Sequence, residues 1–289
     1  MEYLDKSSKN IFKFKKFSIY QGNVPMRLNT DGVLLGCVVN DYLEQFKLGE
    51  KRSAEQTNSE QSELERQLIS NRLNLYESEG LKVLDIGTGC GVIALIIAQK
   101  LSEILKDKFL IDAIDINKEC FEVSTLNFNN SPWSENLNSY HSSLQNFTKE
   151  QKEKKSFYHL IVSNPPYFND SLKNPNIEKT NARHTIQLSY KDLIVNSLQL
   201  LRDDGLLALI IPSDSKEEFL LLGRRYFLFE KTVIDIYSKP AQINIPKRSI
   251  IFFAKGLQKE CLHKEIFLES EINGTKSKEY TRLTKEFYL

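Results

Sequence analysis

The sequence predicts an α/β fold in which a mostly parallel sheet carries helices on both faces. Two observations lead to it. From Lys82 onward, short β-rich runs alternate with helical stretches, the pattern of parallel strands joined by crossover helices. After Ile211 the order shifts to two further β-rich runs joined by a Pro-bearing loop, which suits an antiparallel pair at the end of the sheet. In chain order, residues 1–10 are polar, and FKFKKFSIY (12–20) alternates aromatic with basic residues, the period of a strand with one apolar and one cationic face. Asn29, Thr30, Asp31 and Gly32 then supply helix N-cap chemistry before the apolar VLLGCVV, so a helix is expected from about Asp31 to Phe46. KRSAEQTNSEQSELERQLISNR (51–72) has almost no core residues and reads as a polar insertion, an exposed loop or solvated helix. Strands are expected at KVLDI (82–86), FLIDAID (109–115), LNSY (137–140), YHLIVS (158–163) and GLLALII (205–211). Helices fit at 91–103, 117–129, 189–202 and 214–226, and LFEKTVIDIYS (228–238) with RSIIFFAKG (248–256) forms the final pair.

Composition narrows the function classes. At 289 residues and 40% hydrophobic content the chain can bury one large core, with no internal repeat of solenoid period. Lys and Arg number 39 against 38 Asp and Glu, so there is no global basic field and any polyanion must be met by local patches. Cys37, Cys90, Cys120 and Cys261 lie too far apart for a zinc motif or a disulfide framework, which implies reduced thiols and no metal. The N-terminus lacks an apolar signal core, and no apolar run approaches the ~20 residues of a membrane span. A soluble, cytoplasmic protein is expected.

VLDIGTGCGVIAL (83–95) is a strand, a turn containing Gly87, Gly89 and Gly91, and then a helix. Glycine permits positive φ and lets backbone approach a ligand at a helix N-terminus. Asp115 ends the next strand, where a carboxylate can accept two ribose hydroxyls. Nucleotide and nucleoside cofactors both want that arrangement. The GxGxG spacing, with Asp85 two residues before the first glycine, departs from the GxGxxG dinucleotide fingerprint. It resembles instead the first motif, DxGxGxG, of the class I S-adenosylmethionine-dependent methyltransferases. That resemblance implies a Rossmann-like sheet of seven strands, five parallel and an antiparallel terminal pair, with S-adenosylmethionine as cofactor. It also implies that Asp115 holds the ribose and that Gly87, Thr88, Gly89 and Cys90 line the methionine part. Asp85, Gly91, Ile116, Ser143, Asn164, Thr30 and Asp31 complete the candidate cofactor-binding set. The chain then divides into an N-terminal arm, helix and insertion (1–75) and a methyltransferase domain (76–289).

VSNPPYF (162–168) sets two prolines at the end of the fourth strand of that sheet, on the rim that carries the glycine turn. Methyl transfer needs an acceptor with a free lone pair, and an amine conjugated to a π-system is a poor nucleophile. A protein can help by accepting both of its N–H hydrogens, which favours the pyramidal, lone-pair-localised geometry. The Asn164 side chain and the Pro165 carbonyl are the candidate acceptors, Pro166 restricts the turn, and Tyr167 offers a ring for stacking. The stretch resembles the [ND]PP[YFW] motif of amino-methyltransferases acting on adenine N6, guanine N2 or protein glutamine N5.

The resemblance extends over FKFKKFSIYQGNVPMRLNTDGVLLG, LNFNNSPWSENL, SNPPYF with NARHT, KPAQINIPKRSIIFFA and YTRLTKEFYL, blocks that span nearly the whole chain. Together they look like the bacterial tRNA1(Val) adenine-N6 methyltransferases. This implies direct in-line N6-methylation of a flipped adenine just 3′ of the anticodon, a valine tRNA as partner, and a monomer or weak dimer. A release-factor glutamine methyltransferase shares both motifs but carries an additional N-terminal helical domain; a guanine-N2 RNA methyltransferase stays open. Lys13, Lys15 and Lys16 on the arm, Arg183 and His184 after the motif, and Lys247 and Arg248 in the edge loop are the candidate RNA contacts. Phe12, Phe14 and Phe17 fit the core better than a stacking platform, and His141 and His159 read as structural. One departure concerns the cofactor's adenine amine: the family leads one to expect an acid where this chain has Ser143. The other is the 51–72 insertion.

Overall fold

In the computed structural model, which describes residues 10–53, 80–153, 157–166, 188–240, 246–271 and 274–288, the chain opens with a hairpin. β1 (Ile11–Lys13) pairs antiparallel with β2 (Ser18–Tyr20). This corrects the single strand expected over 12–20. The backbone reverses where Phe14 N–H meets Phe17 O, and both rings turn inward to stack at 4.6 Å between centroids. Burial of two aromatics on the same side overrides the strand period.

α1 (Thr30–Ser53) starts where Asn29 Oδ1 accepts the Gly32 N–H at 2.8 Å, an N-cap bond. It passes the expected end at Phe46, because the Lys, Leu and Glu that follow are good helix formers and no proline stops them. Residues 51–53 of the expected insertion therefore belong to α1, and the rest of it lies outside the described residues. Next come β3 (Leu81–Ile86), α2 (Val92–Leu105), β4 (Phe109–Asp115), α3 (Lys118–Asn129) and β5 (Leu137–His141). α4 (Leu144–Glu153), β6 (Tyr158–Ser163), α5 (Tyr190–Leu200), β7 (Leu201–Pro212) and α6 (Lys216–Arg225) complete the alternation. β8 (Leu228–Tyr237), β9 (Arg248–Lys255), β10 (Leu262–Phe267) and α7 (Lys278–Thr284) end the chain.

The main sheet has eight strands in the order β10-β8-β9-β7-β6-β3-β4-β5. β5, β4, β3, β6 and β7 are parallel, and β9 inserts antiparallel between β7 and β8. The seven expected strands are all present, and β10 adds an eighth, parallel to β8. Helices cover both faces. The hairpin and α1 to α3 share one hydrophobic cluster with α7, whereas α4 to α6 share the other. Strand order reverses between β3 and β6, so a crevice opens at the carboxyl ends of these two strands. No described helix is long and apolar enough to cross a membrane.

Candidate active site

The crevice is built on the turn after β3. Gly87, Gly89 and Gly91 have φ of 69°, 58° and 85°, conformations that a side-chain-bearing residue rarely adopts. Their surroundings differ. A Cβ on Gly87 would meet nothing within 4 Å, so the missing side chain leaves open cleft, whereas one on Gly91 would lie 2.6 Å from the Phe128 ring. Gly91 thus lets α2 pack against α3. Asp85, at the buried end of β3, accepts the Thr88 hydroxyl at 2.7 Å. Burial pushes its carboxyl up to about 7, with the Thr88 hydroxyl and the Ala94 N–H opposing the rise.

Asp115 ends β4 beside this turn. Its Oδ2 accepts the Gly89 N–H at 3.0 Å and its Oδ1 the Asn117 N–H at 2.9 Å. Burial raises its pKa, and those two amides counter the shift. The two bonds fix the carboxylate on the cleft wall with lone pairs to spare, the geometry that a ribose diol requires. Ile116, nearly half exposed at 47%, adds an apolar surface next to it.

β6 supplies the opposite wall. Ser163 pairs in register with Ile86, and its hydroxyl donates to the Ile86 carbonyl at 2.8 Å. Both strands end at this pair, so Asn164 and Gly87 follow at the same rim of the sheet. Asn164 and Pro166 line the same cleft of about 400 Å³ as the glycine turn and Asp115, and Pro165 is buried behind them. Tyr167, Arg183 and His184 lie outside the described residues.

Other expected site residues are distributed differently. Ser143 lines the cleft, but its hydroxyl accepts the Asn146 N–H at 3.2 Å and its carbonyl the Phe147 N–H at 3.0 Å. It is the N-cap of α4, which explains a serine at this point without any cofactor contact. Thr30 and Asp31 do not line the cleft; Asp31 is ion-paired with Arg248 at 2.8 Å. Arg248 is therefore engaged at the rim, while its neighbour Lys247 is exposed there, next to Ser213 at the end of β7. The arm lysines are not brought to the cleft. Lys15 donates to the Lys285 carbonyl, and Lys16 pairs at 2.7 Å with Glu103, roughly 16 Å along α2 from the glycine turn. Lys13 is exposed on β1.

Residues that the sequence reading did not single out close the cleft. The segment Pro25–Asn29, between the hairpin and α1, crosses the glycine turn and lines it through Met26, Arg27 and Leu28. Its only advance signal is position, immediately before a helix cap. Cys120 and Leu144 add apolar lining. An open glycine cradle, an anchored carboxylate and apolar walls fit an S-adenosyl nucleoside.

A family model described as the methyltransferase small domain matches residues 66–226. A protein of Flavobacterium psychrophilum named tRNA1(Val) (adenine(37)-N6)-methyltransferase is 32% identical, covering 96% of this chain and 99% of its own. One of the same name from Phocaeicola vulgatus is also 32% identical, covering 96% and 97%. Among solved structures, one described as a predicted O-methyltransferase from Agrobacterium tumefaciens superposes with a TM-score of 0.55 at 16% identity, over 71% of this chain and 89% of that one. At that identity the superposition speaks for the fold alone.

Proposed function

This chain belongs to the tRNA1(Val) (adenine(37)-N6)-methyltransferases and carries their methyltransferase small domain, and on that premise we propose that it methylates N6 of adenine 37 in a valine tRNA. The observation that carries the reading is the Ser163–Ile86 register, which sets Asn164 at the same rim as the glycine turn. S-adenosylmethionine, when bound, supplies an electrophilic methyl group. Asp115 accepts the ribose hydroxyls, and Gly87 and Gly89 leave room for the sulfur-bearing chain. Asn164 Oδ1 and the Pro165 carbonyl accept the two N–H hydrogens of the target amine. That pair of bonds draws the nitrogen lone pair out of the ring's π-system and directs it at the methyl carbon. The N–C bond would form as the sulfonium S–C bond breaks, leaving S-adenosylhomocysteine, and the nitrogen would lose one proton to solvent. Pro165 has no N–H of its own to compete, and its buried ring holds the carbonyl in place. Tyr167 stacks on the flipped adenine.

The test is to incubate the protein with radiolabelled S-adenosylmethionine and either total tRNA or release factor, then digest and identify the labelled product. N6-methyladenosine at position 37 of a valine tRNA is the expected outcome. Label on protein glutamine or on guanine N2, with none on adenine, would overturn the assignment.

A further inference from the structure

We propose that Arg27 binds the α-carboxylate at the amino-acid end of the cofactor; the inference rests on reading the cleft as an S-adenosylmethionine site. A glycine-rich turn at a helix start is the usual place for backbone N–H groups to receive an anion. Four of the turn's own N–H groups are already committed. The Gly87 and Thr88 N–H groups both donate to the Ile114 carbonyl, at 2.9 and 3.1 Å, and the Gly91 N–H donates to the Thr88 carbonyl at 2.9 Å. The Gly89 N–H donates to Asp115 at 3.0 Å. The one charged side chain that β4 presents to the cleft, Asp115, is acidic, and a carboxylate entering beside it needs a cation.

Among the described lining residues, Arg27 is the single Lys or Arg. The described residues give it no hydrogen bond or ion pair, unlike Lys16 and Arg248. Its segment is held at the end next to α1. The Leu28 N–H donates to Gln21 Oε1 at 3.0 Å, and Asn29 Oδ1 accepts from Gly32 at 2.8 Å. The Met26 carbonyl lies 4.0 Å from where a Gly89 Cβ would stand, so the segment passes directly over the turn. The nucleoside end belongs to Asp115 and Ile116 at the end of β4, which leaves the amino-acid end to the glycine turn and the segment above it. A guanidinium there matches a carboxylate with two parallel N–H donors.

The experiment compares two ligands that differ in that one group. Binding of S-adenosylmethionine and of its decarboxylated analogue is measured calorimetrically on the full chain for wild type, Arg27→Met and Arg27→Lys. Arg27→Met is expected to weaken S-adenosylmethionine about 10- to 100-fold, the range of a charged hydrogen bond, and to leave the analogue within about threefold. Arg27→Lys should fall between Arg27→Met and wild type. Unchanged thermal melting shows that the variants fold. Equal losses for both ligands, or unchanged S-adenosylmethionine affinity with a raised KM for tRNA, would overturn the inference while leaving the cofactor reading intact. Failure of the wild type to bind either ligand would overturn both.

Discussion

At the scale of residues, two carboxylates flank the glycine turn and are held in different ways. Asp85 is buried with its folded pKa raised from the ordinary 3.8 to about 7. Such a group contributes full stability below its unfolded pKa, and that contribution is lost as pH rises through the folded value. Asp85→Asn, which still offers an oxygen to the Thr88 hydroxyl, removes this dependence. The difference in melting temperature between variant and wild type should therefore move in the variant's favour from about pH 4 to pH 7; a constant difference over that range would refute the buried, raised carboxyl. Asp115 is different because its amide partners keep it oriented. Asp115→Ala is expected to weaken S-adenosylhomocysteine binding by about tenfold or more, as loss of a charged acceptor does, and titration calorimetry would check it. The sequence reading put both acids among the cofactor-binding candidates; Asp115 lines the cleft, whereas Asp85 is fully buried and does not. Arg27 was not a candidate, because a single arginine in a loop carries no periodic signal and only the chain's path over the glycine turn gives it a place. His159 was read as structural, and its Nδ1 accepts the Lys82 N–H at 3.0 Å, while burial lowers its pKa to about 4 and keeps it neutral.

At the scale of elements, the three glycines of one turn separate into two tasks. Gly91→Ala combines a φ of 85° with a Cβ at 2.6 Å from Phe128, so it should cost about 2–5 kcal/mol of stability. Gly87→Ala meets open space and bears only the backbone strain, about 1–2 kcal/mol, but its methyl group projects into the cleft. Chemical denaturation should rank Gly91→Ala as the less stable variant, with Gly87→Ala showing the more selective loss of cofactor affinity. The long apolar strands and their helices were readable because both faces of the sheet are covered and the runs are nearly continuous. The elements missed are those with little apolar content. α4 buries Leu144 and Phe147 amid polar residues, and β10 buries Ile266 alone while four of its residues are exposed. An edge strand of that kind has no alternation for a sequence reading to find.

At the scale of the whole molecule, the arm and the C-terminal residues close one face of the fold together. The Lys15 N–H donates to the Phe287 carbonyl at 2.9 Å, the Phe14 ring stacks on Tyr288, and Arg282 reaches Asp41 on α1 at 2.6 Å. The sequence reading placed the arm lysines against RNA, whereas Lys15 is occupied by this closure and Lys16 by Glu103 on α2. Phe287 is 4% exposed, so Phe287→Ala should cost about 3–5 kcal/mol and lower the urea midpoint; a shift within error would contradict this account of the closure. The same sheet that is sealed at that face opens at the β3–β6 switch point, and the proposed chemistry concentrates there. The most direct measurement is single-turnover methylation of a tRNA1(Val) transcript at saturating S-adenosylmethionine, by wild type and Asn164→Ala. The account predicts N6-methyladenosine at position 37 with the wild type and a rate about 100-fold or more lower for the variant, whose cofactor affinity stays within about threefold. An Asn164→Ala variant that methylates adenine at the wild-type rate would contradict it.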